Sequence, residues 1–388
     1  MADCAPIFIC GMHRSGTSLT ANRLRRCGLW LGEEKLVHGA TADNPDGHWE
    51  NIGVTRVNDA LLNELGGGWD HVPEFPASWA ETFASRRERV KEIHAELARP
   101  TPWGWKDPRA SLLLPFWLTL APLARVVVCV RHPLEVADSL RRRGLMSHTL
   151  GLKLWRDYNE RLLADVPRKQ RIVVHYGEFF SQPAATLWRL ADFCGLKISA
   201  GELEKISATV KPELRHTRFA DELLEKVSVA PDIIALYDRL CGEAGHETVH
   251  QHAGSETGAP TKLLDLDAFD YEMSVMQWNG FVEKNTPPGA RVSVVAKGDD
   301  NLLKFSQRGA EHFPRDERGR FAGYHPADDA EALRQLEFAR RAGTQFLALP
   351  HGSLSWLKTY PKLAEALKRL PVAAENAHLG IIFRVDGA

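Results

Sequence analysis

The stretch Ile7-Phe8-Ile9-Cys10-Gly11-Met12-His13-Arg14-Ser15-Gly16-Thr17-Ser18 decides how this chain is read. Its first four residues are apolar without alternation, which predicts a short strand covered on both faces. A glycine-bounded loop follows, and Thr17–Cys27 then carries the apolar spacing of a helix that Gly28 stops. A strand, a loop and a helix N-terminus in that order form an anion cradle. Successive backbone N–H groups and the helix dipole both favour negative charge there.

The spacing Gly11-x4-Gly16 is that of a nucleotide P-loop, yet Thr17 stands where such a loop has lysine. Arg14 is its cation. A site that cleaves ATP or GTP also needs an acidic residue on magnesium, and the strand Arg125–Val130 ends in Arg131 instead. The loop is therefore built for another phosphate, held without a metal.

Further strands are expected at Trp103–Lys106, Arg125–Val130 and Arg171–His175, alternating with helices at Ala110–Ala121, Pro133–Arg143 and Ala184–Phe193. Alternation of this kind predicts an α/β domain over residues 1–245. Its expected form is a P-loop-type three-layer parallel sheet with helices on both faces. Residues 246–262 are polar and rich in Gly, Ser and Thr, a linker in which His246, His250 and His252 read as solvated. Residues 263–388 restart the pattern as a second, smaller α/β domain. Helices are expected at Phe269–Glu283, Asp328–Ala342 and Leu354–Leu370, with strands at Val292–Ala296, Phe346–Leu349 and Gly380–Val385.

Composition bounds the function. The 388 residues carry a formal charge of −1, which argues against a nucleic-acid coat or a polybasic membrane binder. Pro115, Pro122 and Arg125 break the longest apolar stretch, so no membrane span is expected. The six cysteines show no zinc spacing and read as reduced thiols, and Met1–Arg14 lacks a secretory start. A cytoplasmic protein with no metal is the expectation.

Arg131 and Ser139 add a second phosphate-binding element, a bidentate donor and a hydroxyl across a strand end and the following helix. Taken singly, Arg131 could instead pair with Glu135 or Asp138. With this pair in view the chain resembles the sulfotransferases that use 3′-phosphoadenosine 5′-phosphosulfate (PAPS). In that family an R-S-G-T-[ST] loop, here Arg14-Ser15-Gly16-Thr17-Ser18, grips the 5′-phosphosulfate. An R-x(7)-S pair, here Arg131 and Ser139, grips the 3′-phosphate, and no metal is needed. The likeness covers roughly Pro6–Leu240 and is strongest to bacterial sulfotransferase-like proteins, through Gly11–Ser18, Asn44–Asn51 and Trp103–Arg109.

The resemblance implies a PAPS-dependent O-sulfotransferase with His13, Arg14, Ser15, Gly16, Thr17, Ser18, Arg131 and Ser139 on the cofactor. Lys106 and Arg14 are the candidate cations at the reacting sulfur. The family's Lys-x-His base is missing, since Asp107 and Pro108 follow Lys106. Glu50 is the preferred base, with His48 and Glu34 as substitutes. Its alternative role is an acid at the N-terminus of a helix near Val54. Lys211, Arg215 and Arg218 could close over the 3′-phosphate, and Arg141-Arg142-Arg143 could steer an anionic acceptor or simply be solvated. Trp103, Trp105, Trp117 and Trp155 could stack on a ligand or fill a core.

The C-terminal domain resembles a module that accompanies bacterial sulfotransferase- and glycosyltransferase-type chains, through Lys297-Gly298-Asp299-Asp300, Gly323–Asp328 and Trp356–Pro361. That company tilts the acceptor, expected to be a carbohydrate or small metabolite, towards carbohydrate. Two other functions compete: an ATP-dependent kinase with a degenerate loop, and a non-catalytic nucleotide-binding scaffold.

Overall fold

The computed structural model describes residues 5–39, 47–99, 101–144, 148–210, 218–227, 229–248, 262–322, 325–326 and 328–386. Asn44–Asp46, Lys211, Arg215, His250, His252 and the Arg143 side chain lie outside the described residues. The chain divides into two compact units. Unit one is Met1–Asp59, Pro76–Ser139 and Thr149–Ala259, and unit two is Ala60–Phe75, Leu140–His148 and Pro260–Ala388. Unit two thus takes in two segments that the sequence alone assigns to the first domain.

Unit one is an α/β domain on four parallel strands. They are β1 (Ile7–Cys10), β2 (Gly104–Lys106), β3 (Arg125–Val130) and β4 (Arg171–His175), in the order β2-β1-β3-β4. Alternate residues supply the two faces. Ile7, Ile9, Val127 and Val174 pack with Leu24 of helix Thr17–Arg26 and with Leu187 and Leu190 of helix Pro183–Cys194. On the other side the Phe8 ring stacks on Trp105, with centroids 4.1 Å apart, and meets the edge of Trp117 from helix Leu114–Leu120. Trp103, Trp105, Trp117 and Trp155 are all buried and serve as core.

Several boundaries differ from expectation for local reasons. The segment expected as one helix, Ala110–Ala121, is a 3-10 turn Pro108–Leu112 followed by helix Leu114–Leu120. The Asp107 carboxylate caps that turn by accepting from Arg109 N at 2.9 Å. Helix Ile52–Glu64 begins at the point where Asn51 Oδ1 accepts from Val54 N at 3.1 Å. Asn51 is therefore the cap, and Glu50 is left for other work.

Unit two is built on a five-stranded mixed sheet. Its strands are β5 (Arg291–Val294), β6 (Gly309–His312), β7 (Phe346–Pro350), β8 (Val372–Asn376) and β9 (Gly380–Arg384), ordered β6-β5-β7-β9-β8. β6, β5 and β7 run parallel, while β9 is antiparallel to both β7 and β8. β6 and β8 are absent from the sequence reading. β6 is cut short by Pro314 and carries Glu311 and His312, and β8 lies at the sheet edge with only Ala374 half-covered. The expected helix Leu354–Leu370 is split into Trp356–Thr359 and Pro361–Lys368, since Pro361 lacks the N–H a continuous helix needs. Among the described residues no helix is long and apolar enough to cross a membrane.

Candidate active site

The site lies at the carboxyl ends of β1, β2 and β3, where an open parallel sheet presents its loops to ligands. The loop after β1 reaches the helix through left-handed backbone, at Arg14 (φ 71°) and Gly16 (φ 91°). A side chain at Gly16 would not fit, because a Cβ there would lie 2.5 Å from the Tyr176 ring. Ser15 Oγ is buried and has no hydrogen-bond partner among the described residues. A tight loop with an unspent buried hydroxyl at a helix N-terminus suits an oxyanion.

Arg14 Nε donates to Ser139 Oγ at 2.9 Å, and Arg131 Nη1 donates to the Arg14 carbonyl at 3.2 Å. The two motifs therefore meet, although they are far apart in sequence. Arg131 Nε also donates to the buried Glu135 at 2.7 Å, and its guanidinium lies 4.4 Å above the Tyr176 ring. Glu135 in turn accepts from Phe219 N at 3.2 Å, tying the segment that begins at Arg218 to the same place. Tyr176 thus packs on both Gly16 and Arg131. The sequence marks it only through the imperfect Tyr176-Gly177-Glu178-Phe179 match.

Lys106, at the end of β2, is 1% exposed. Its ammonium donates to Glu50 Oε1 at 2.8 Å, to the His48 carbonyl at 3.0 Å and to Ser18 Oγ at 3.2 Å. Glu50 is placed by a parallel bridge to Lys106, so its segment runs beside β2 like a further strand. Burial alone would push the Glu50 carboxyl up. Lys106, Arg109 and His13 outweigh it and hold the group well below the usual carboxylate range.

Arg109 is the site residue for which the sequence reading has no role. It pairs with Asp59 at 2.7 Å and Asp107 at 3.1 Å and stands 4.0 Å from Glu50. Asp107 also accepts from Asn58 at 3.0 Å, so it anchors both Arg109 and the turn. The signal for Arg109 lies in the Lys106-Asp107-Pro108-Arg109 run, where a capped turn folds the arginine back on itself. Glu34 lies elsewhere, paired with Arg25 at 2.8 Å with its side chain 77% exposed. His13 is buried edge-on to Tyr158, while Thr17 is buried in the first helical turn. Among the described residues no group of three or more His, Cys, Asp or Glu could hold a metal ion.

Residues 6–200 match the profile described as the sulfotransferase family. The chain belongs to that family. Solved structures similar to it include the sulfotransferase domain from the curacin biosynthetic pathway, with 16% identity and a TM-score of 0.35, covering 63% of this chain and 99% of that one. Another is sulfotransferase STF9 from Mycobacterium avium, with 15% identity and a TM-score of 0.39, covering 64% of this chain and 78% of that one. A third is retinol dehydratase in complex with androsterone and the inactive cofactor PAP, at 12% identity and TM-score 0.34, covering 64% of this chain and 83% of that one. No curated protein matches the chain.

Proposed function

We propose that the protein is a PAPS-dependent O-sulfotransferase acting on a hydroxyl of a carbohydrate or small metabolite. The observation that carries this reading is the meeting of Arg14, Ser139 and Arg131 beside a glycine-turned loop that has no P-loop lysine. PAPS, when bound, supplies an activated sulfuryl group. Ser15, Gly16, Thr17 and Ser18 would hold its 5′-phosphosulfate through backbone N–H groups and hydroxyls, with His13 and Arg14 lining the loop. Arg131 and Ser139 would hold the 3′-phosphate.

In this reading the acceptor oxygen attacks sulfur in line, the bond from sulfur to the phosphate oxygen breaks, and the acceptor proton passes to Glu50. Lys106 and Arg14 meet the charge that develops on the leaving phosphate oxygen. In this reading the Lys106–Glu50 ion pair is what lets a carboxylate held so low act as base. As Lys106 turns to the leaving oxygen it withdraws the nearest charge from Glu50, and burial then favours the protonated carboxyl. Arg109 stays at Glu50 as the positioning cation.

The test compares stabilisation by adenosine 3′,5′-bisphosphate and by ATP with magnesium, followed by transfer of labelled sulfate from PAPS to a panel of hydroxylated acceptors. Stabilisation by the bisphosphate together with a sulfated product is expected. Stabilisation by ATP with magnesium alone would favour a kinase and overturn the reading.

A further inference from the structure

Unit two carries an arrangement of charged groups that sulfuryl transfer does not use. Its parallel strands β5 and β7 are neighbours, and the chain leaves them in opposite directions. From β5 it passes to β6 on one side, and from β7 to β9 and β8 on the other. Such a switch of direction opens a crevice outside the carboxyl ends of the two strands, the usual place for a ligand in an open α/β sheet.

Three titratable side chains converge there. Asp70 has a side chain only 1% exposed, and its Oδ1 lies 2.5 Å from His325 Nε2. Its Oδ2 lies 3.6 Å from Lys297 Nζ and has no hydrogen-bond partner among the described residues. Lys297 comes just after β5, and its ammonium reaches the carbonyl of Gly352, just after β7, at 3.4 Å. Ser353 Oγ ties the same two loops by donating to Val295 O at 2.6 Å. Burial would push the Asp70 carboxyl up, but His325 and Lys297 hold it well below its ordinary range, so it stays an anion behind the imidazole and ammonium heads.

The outward sides of those heads are unspent. Lys297 is 21% exposed, and its two contacts, at 3.4 and 3.6 Å, are too long to occupy three N–H donors. With Nε2 on Asp70, His325 turns Nδ1 away from the carboxylate, where no described residue takes it. The nearby acids are committed, Asp299 to the N–H of Asn301 at 3.1 Å and Asp300 to His312 at 2.8 Å.

Two backbone features hold this geometry at some expense. Lys297 is a non-glycine residue in the left-handed region (φ 53°), a strain that persists only where the surroundings enforce it. Gly68 has no room for a side chain, since a Cβ would lie 2.4 Å from the His325 ring. The same ring also lies beside Trp356, with centroids 5.5 Å apart.

We propose that unit two binds the oxyanion group of a small metabolite between Lys297 and His325, with Asp70 bracing both. Phosphate and carboxylate share this chemistry. The site is separate in sequence and in chemistry from the loop after β1.

The test saturates the loop of unit one with adenosine 3′,5′-bisphosphate. The full chain is then titrated with inorganic phosphate and, separately, with acetate by equilibrium dialysis. One further equivalent of at least one anion is expected, and the arm that binds tighter tells phosphate from carboxylate ligands. Lys297→Asn, which tolerates left-handed backbone, and His325→Gln should each weaken that binding roughly tenfold to hundredfold. In the wild-type chain the bound anion should also slow reductive methylation of Lys297, a readout that needs no variant to fold. Absence of a further equivalent, unchanged affinity in both variants, or methylation of Lys297 indifferent to the anion would overturn the proposal and leave the cluster as an internal clamp.

Discussion

Lys106 and Glu50 form a buried ion pair, Nζ to Oε1 at 2.8 Å, on two segments that run in parallel at the edge of the first sheet. Removing either partner strands the other charge in a dry site, which in general costs about 3–5 kcal/mol. Chemistry and stability are therefore entangled at these two positions, and isosteric changes separate them best.

Glu50→Gln keeps the shape and the hydrogen bond to Lys106 but cannot take a proton. Sulfate transfer should fall by ~10²-fold or more, with affinity for adenosine 3′,5′-bisphosphate nearly unchanged. Lys106→Met should lower turnover and melting temperature together, because Glu50 is then buried alone. A fully active Glu50→Gln enzyme would pass the base role to His48, whose carbonyl already faces Lys106.

Ser139→Ala removes a side-chain partner of Arg14 and should weaken bisphosphate binding by roughly tenfold with little change in melting temperature. Arg131→Ala should weaken binding and also destabilise, because Glu135 is left fully buried without its cation. The double variant Arg131→Ala/Glu135→Gln should recover stability but not affinity. Calorimetric binding alongside thermal melts distinguishes the two effects.

Gly16→Ala places a methyl group against Tyr176 and forces a left-handed backbone on a residue that resists it. A loss of ~1–3 kcal/mol in stability is expected, together with loss of nucleotide binding, because the loop must shift. Denaturant unfolding with and without the bisphosphate reads both.

His94 lies among the rings of Phe8, Trp103 and Trp117, and burial pulls its imidazole down from 6.5 to about 4. Unfolding frees the group to take a proton, so the folded state loses stability as pH falls from about 6.5 to about 4, and no more from this source below that. His94→Phe should flatten that part of the stability–pH curve. The check is urea unfolding at half-unit pH steps across the window.

Much of the first domain was legible because local patterns carry it. Ile7–Cys10 and Arg125–Val130 read as strands since central parallel strands are apolar throughout, and the glycines of the loop mark its turns. β6 and β8 were not legible, since Glu311 and His312 in one and the exposed face of the other lack that pattern. Arg131 and Ser139 were legible as a spaced pair. The Arg131–Glu135 pair, four positions apart, was legible as an alternative to ligand binding, but that Arg131 would also reach the Arg14 carbonyl and that Arg14 would turn to Ser139 could not be read from spacing.

By itself the sequence determined the glycine-turned loop between a strand and a helix, and its lack of a P-loop lysine, because both depend on residues adjacent along the chain. Only the tertiary structure decided the pairings of Lys106 with Glu50, 56 positions apart, and of His325 with Asp70, 255 apart. Backbone propensity acts over a few residues. The partner of a buried charge is chosen by which segments the packed core brings side by side, and in both pairs that choice leaves a carboxylate in a dry site facing more than one basic side chain.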